Sequence, residues 1–149
     1  MNKNRLLLFN QFNKNNKFQK IYYSLAREAI DIIVGNELAM QKNINLSIQT
    51  PNDHSSLLPL HSDTWSGDSP FEVVLWIPLV DCYKTKSMFI LNQKKNNKFN
   101  KIYKNKLINK ASDLYREIKN DLEFINIKYG EYLLFNQNLP HGNIINKTN

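Results

Sequence analysis

Apolar residues change their spacing along this chain, and each change predicts a different element. Ile21, Leu25, Ala29, Ile32 and Ile33 recur at helical intervals, while Arg27, Glu28 and Asp31 fall on other faces. The pattern predicts a helix, with Gly35 and Asn36 as its stop. From residue 38 to 50 the period falls to two. Ile44, Leu46 and Ile48 alternate with Asn45, Ser47 and Gln49, which predicts a strand with one apolar and one polar face. In a small barrel that polar face lines a cavity; in an open sheet it meets solvent. Residues 71–80 are nearly all apolar, the pattern of a strand covered on both faces, and Pro78 predicts an end or edge there. Ser87 to Leu91 reads as a further short strand.

Between these runs, residues 1–17 are rich in Asn and Lys and read as an irregular arm. Residues 51–56 and 65–70 are loops by composition. Residues 92–110 form an insert carrying Lys94, Lys95, Lys98, Lys101, Lys104, Lys106 and Lys110, read as a solvated surface. Leu107, Ala111, Leu114 and Ile118 then predict a helix. Residues 124–127 and 131–135 predict a hairpin around Lys128-Tyr129-Gly130. The outline is α+β, mainly β with helices: one domain over residues 1–149, an N-terminal helix, several strands and a helical insertion. A small jelly-roll or cupin-like barrel fits that order.

Charge alters this picture little. The formal net charge is +7, but the excess is lysine, with arginine only at Arg5, Arg27 and Arg116. It accompanies many Asn and Ile residues, which share A/T-rich codons with lysine. No basic stripe is interleaved with aromatics, so a nucleic-acid partner is not expected. Cys82 is the only cysteine, which excludes an internal disulfide and a thiolate cluster. No apolar stretch approaches membrane-spanning length, and Leu6 to Phe9 is too short for a signal-peptide core. A cytoplasmic protein is the expectation, with a small-molecule substrate.

The candidate chemistry lies in two segments, Leu60-His61-Ser62-Asp63 and Leu139-Pro140-His141-Gly142. Residues two apart on a strand point to one side, so His61 and Asp63 can reach one ion. A third ligand must come from a distant part of the chain, and His141, released by the strand that follows Gly130-Glu131, is the candidate. His54, in a polar loop, is not assigned. Two imidazoles and one carboxylate are the ligand set of the facial triad that holds non-heme Fe(II). The plain alternatives are a hydrogen-bonded histidine at His61 and a turn or cap at Asp63.

The run from His61-Ser62-Asp63-Thr64-Trp65-Ser66-Gly67-Asp68 through Ser69-Pro70-Phe71-Glu72-Val73-Val74-Leu75-Trp76 resembles the iron-binding segment of 2-oxoglutarate/Fe(II)-dependent oxygenases. The group in question occurs sporadically in carbohydrate-biosynthesis gene clusters and resembles the phytanoyl-CoA dioxygenases. Asp81 to Met88 and Phe135 to Asn143 are similar to the same family, and the resemblance runs from about Gly35 onward. It implies a double-stranded β-helix, Fe(II) held by His61, Asp63 and His141, and 2-oxoglutarate as co-substrate. The implied reaction is oxidation, as hydroxylation, of a sugar or sugar-derived metabolite. In such a dioxygenase a cation, often an Arg soon after the distal His, pairs with the far carboxylate of the co-substrate. After His141 only Gly142-Asn143-Ile144-Ile145-Asn146-Lys147-Thr148-Asn149 follow. The expectation is therefore a C-terminally truncated member lacking the last barrel strand, its open edge leaving room for a second subunit.

Lys147 and Lys86 are the candidates for the missing cation, each with an ordinary solvated lysine as the alternative. Asn45 and Gln49, with Gln41 and Ser47, are candidate co-substrate or substrate contacts; Trp65 and Tyr129 are candidates whose alternative is packing, and Arg116 reads as a surface residue. Two other functions suit the same residues: a catalytically incomplete remnant, and a cupin-like barrel holding Zn(II).

Overall fold

The computed structural model describes residues 2–105 and 110–148. Lys106 and Leu107, together with the side chains of Lys98 and Lys104, lie outside what is described. The class is α+β, with short antiparallel sheets and, among the described residues, no closed barrel. The chain sorts into two compact units, Met1–Ile48 and Gln49–Asn149. Among the described residues no helix is long and apolar enough to cross a membrane.

In the first unit the expected irregular arm is helical: α1 spans Asn2–Lys14. The half-buried positions Arg5, Phe9, Phe12 and Asn13 make one helical stripe that the Asn and Lys composition obscures. The helix predicted over residues 21–33 is two helices, α2 (Asn16–Ser24) and α3 (Arg27–Ile33). Asn15 caps α2 by accepting from the Lys17 N–H at 3.0 Å. The break falls at Ala26, buried and non-helical, while Gly35, at φ 92°, ends α3 as expected.

The alternation over residues 44–48 survives as alternating burial, but no ladder forms there. Side chains take the place of a partner strand. Asn13 donates through Nδ2 to the Ile44 carbonyl (3.0 Å) and accepts from the Ile44 N–H (2.7 Å), and Arg5 donates to the Leu46 carbonyl. These contacts engage three of the segment's backbone groups without a sheet.

The second unit is built around β2 (Phe89–Leu91), buried at every position. It lies antiparallel between β3 (Leu122–Phe124) and β5 (His141–Gly142), with Phe89 opposite Phe124 on one side and Gly142 on the other. Strand alternation divides its side chains. Phe89 and Leu91 pack with Leu60, Phe99, Leu114 and Ile118, so that the helices α4 (Gln93–Asn105) and α5 (Ala111–Ile118) cover that face. Ile90 points the other way, into a cluster with Phe135 and Leu139. A second sheet pairs β1 (Val73–Trp76) with β4 (Leu133–Asn136).

Two further expectations are corrected. The strand foreseen over residues 71–80 is short, half-buried and paired on one side only, and Phe71 is 89% exposed. Pro78 does fall beyond its end. The predicted hairpin keeps its turn, with Gly130 at φ 90° and the Glu131 N–H bonded to the Lys128 carbonyl. Its arms, however, join different sheets: β3 pairs with β2, Ile127 bridges Cys82, and β4 pairs with β1. Burial of Phe135 and of the β2 run, not proximity along the chain, selects those partners.

Candidate metal centre

Local geometry brings the two distant histidines together. His61 and His141 form an isolated antiparallel bridge in which each N–H bonds the other's carbonyl, at 2.9 and 2.8 Å. Directly opposed residues of such a pair project to the same face. The imidazole centroids are accordingly 4.4 Å apart. Extended Ser62 (φ −126°, ψ 135°) then carries Asp63 back to that side, at the start of a 3-10 turn spanning Asp63–Ser66.

Asp63 reaches both rings. Its Oδ1 is 3.5 Å from His61 Nε2 and its Oδ2 is 3.8 Å from His141 Nε2. One ligand atom from each residue lies within 4.8 Å of the others, so His61, Asp63 and His141 can hold a metal ion. The imidazoles are oriented for it. His61 Nδ1 donates to the Pro59 carbonyl at 2.7 Å, and His141 Nδ1 donates to the Leu139 carbonyl at 2.8 Å. A carbonyl can only accept, so in each neutral ring the proton is on Nδ1 and the Nε2 lone pair is free for an ion. Side-chain exposures of 34% at His61, 27% at Asp63 and 12% at His141 leave the group reachable from solvent.

Sequence reasoning missed the residues that hold the two ligand segments against each other. Ser62 is fully buried, and its hydroxyl donates to the Gln137 carbonyl at 3.0 Å. Thr64 donates to Asn138 Oδ1 at 2.8 Å, and the two hydroxyls lie 2.8 Å apart. The signal for Ser62 was present in His-Ser-Asp: alternation that gives the two ligands one face gives the Ser62 hydroxyl the other. Phe135 adds an edge-on contact to the His141 ring at 5.1 Å.

Burial holds the His141 pKa below the ordinary histidine range, and the neighbouring His61 acts in the same direction. The Leu139 carbonyl and the Asp63 carboxylate oppose both. Above about pH 6.5 the ring is neutral in the folded and unfolded chain alike and has no pH-linked effect. Below that, the unfolded chain takes up the proton first, so stability falls with pH. Urea unfolding of the EDTA-treated protein is expected to show this loss as pH falls below about 6.5, with a shallower slope in His141→Gln. Equal slopes would contradict the assignment.

The other candidates are not drawn into this group. The Lys86 ammonium sits 5.6 Å from the Tyr83 ring centroid, and exposed Lys147 uses its backbone N–H on Thr85 Oγ1. Gln49 is occupied by the Ile144 carbonyl. Asn45, Gln41 and Ser47 are exposed residues of the first unit. Trp65 stacks on Tyr103 at 5.1 Å, which is packing, and Tyr129 is 70% exposed. Arg116 pairs with Asp113 on the exposed side of α5, and His54 is an exposed loop residue. No protein-family model, curated protein or solved structure matches the chain.

Proposed function

We propose that this protein is an Fe(II)- and 2-oxoglutarate-dependent oxygenase with a jelly-roll core, acting on a sugar or sugar-derived metabolite. The observation that supports this reading best is the bridged histidine pair with both Nε2 atoms turned to one carboxylate. Two nitrogens and one oxygen are the donor set of a facial triad, which leaves coordination positions for a co-substrate. The resemblance of residues 61–76, 81–88 and 135–143 supplies the substrate class.

Fe(II) bound here with 2-oxoglutarate would supply O2 activation and the oxidising equivalents. The chain's own contribution is placement. His61 and His141 offer Nε2 because carbonyls hold their Nδ1 protons, and Asp63 brings the negative charge that offsets a dication. The bridge and the Ser62–Gln137 contact keep those donors in register, and Phe135 screens one side of His141 from water.

Anaerobic Fe(II) with 2-oxoglutarate is expected to give a visible charge-transfer band in the native chain and none in His141→Ala. Iron bound without a band would sink the co-substrate part of the reading and favour a non-catalytic relative. Tight Zn(II) binding with no band would favour the cupin-like alternative, allowing for the general preference of such donors for Zn(II) over Fe(II).

A further inference from the structure

The geometry points to a second binding site, for a small anionic sugar, in the cleft lined by Tyr83, Lys84, Thr85, Phe124 and Asn126. The cleft opens widely to solvent, and its volume of about 640 Å³ leaves room for a small molecule. None of its lining residues belongs to the metal triad, and the inference does not rest on the oxygenase reading.

A mismatch in strand pairing creates the cleft. Cys82 and Ile127 exchange backbone hydrogen bonds of 2.8 and 2.9 Å, and the Ile125 N–H reaches the Met88 carbonyl at 3.0 Å. Between those ties, residues 83–87 stand opposite Asn126 alone, so they must arch away from it. Lys84 turns the arch in the left-handed region, at φ 46°. Such strain in a non-glycine residue persists only where its surroundings fix it. Short bonds do so here: Lys86 N–H to the Tyr83 carbonyl, Ser87 N–H to the Lys84 carbonyl, and Lys147 N–H to Thr85 Oγ1.

The groups left over suit a hydroxylated ring that carries an anion. Tyr83 and Phe124 are each 37% exposed and offer flat apolar surface to the C–H face of a pyranose. Asn126 has no hydrogen-bond partner among the described residues, and Thr85, accepting from Lys147, still has its own proton to donate. Lys84 is exposed, and the Lys86 ammonium is held against Tyr83. The acidic residues nearest in sequence are Glu123, which accepts from Asn92 Nδ2 at 3.4 Å, and Asp81, which accepts from the Tyr129 N–H at 2.8 Å. The cleft is thus cationic, aromatic and rich in unused polar groups. A phosphorylated sugar and a sugar acid share the chemistry it selects.

NMR of the full chain in EDTA, following the Asn126 and Thr85 resonances, tests this without involving a bound metal. Glucose 6-phosphate or glucuronate is expected to shift them saturably, and which of the two does so identifies phosphate or carboxylate as the preferred anion. Lys84→Gln, an exposed change, is expected to weaken binding about ten-fold or more, the loss of one charge-assisted contact. No saturable shift with either sugar would overturn the proposal. So would inorganic phosphate binding as tightly as the sugar phosphate, or an unchanged affinity in Lys84→Gln.

Discussion

Asp63→Ala is expected to abolish tight divalent-metal binding while leaving the fold standing. Asp63 supplies the only negative charge in the group of three, and its two oxygens face the two Nε2 atoms at 3.5 and 3.8 Å. Without it a dication would rest on two neutral imidazoles, with nothing to offset its charge. Losing an outer partner of a metal ligand costs about 10–100-fold in affinity, and losing the ligand itself is expected to exceed that. The side chain is partly exposed and begins a short 3-10 turn without a side-chain cap, so little packing is lost with it. Calorimetric titration with Co(II), alongside thermal unfolding of the metal-free proteins, separates the two effects. Asp63→Asn should fall with Asp63→Ala if charge is the main contribution. Native-like affinity in Asp63→Ala would remove Asp63 from the site.

Gly142→Ala should damage stability and metal binding together. The residue follows His141, and its φ is not in the left-handed region, so space rather than backbone freedom demands a glycine. A Cβ there would stand 2.8 Å from the Leu58 carbonyl oxygen, 3.0 Å from the Pro59 carbonyl oxygen and 3.0 Å from Phe89 Cζ. Two of those atoms are backbone, and Phe89 is 1% exposed in the core. None can swing aside as a surface side chain would. Overpacking of this kind costs about 1–3 kcal/mol, read as a lower urea midpoint. The same displacement would move the Pro59 carbonyl that orients His61 and the Leu58 carbonyl that accepts from Asn143. Metal affinity should therefore drop even though no ligand is altered. An alanine variant with native stability and native affinity would show that the 58–59 segment yields freely.

The triad was legible because its signal is residue identity plus a period of two, and Ser62 keeps the extended backbone which that period assumes. Gly35, Pro78 and the apolar run at β2 were legible for similarly local reasons. What failed depended on partners. The alternation at Ile44, Leu46 and Ile48 was real, yet a strand needs a neighbour, and Asn13 and Arg5 took that role with side chains. The arms around Gly130 had a hairpin's turn but paired elsewhere, a choice made by burial against β2 and β1. The helix Asn2–Lys14 was hidden because its inward stripe includes Arg5 and Asn13, which a hydrophobicity pattern counts as surface. Gln49 looked available in sequence and is engaged by the Ile144 carbonyl.

The His61–His141 bridge would also fix when a metal could be captured. It joins the early part of the second unit to its last strand, so it is among the longest-range contacts in that unit. Contacts of such separation close late, after the chain between them has been gathered in. During synthesis, a chain that has emerged only as far as β4 displays His61 and Asp63 but has no third ligand to offer. An ion that required all three ligands would be retained only once β5 had joined β2, so metal content would report how many molecules had docked that strand.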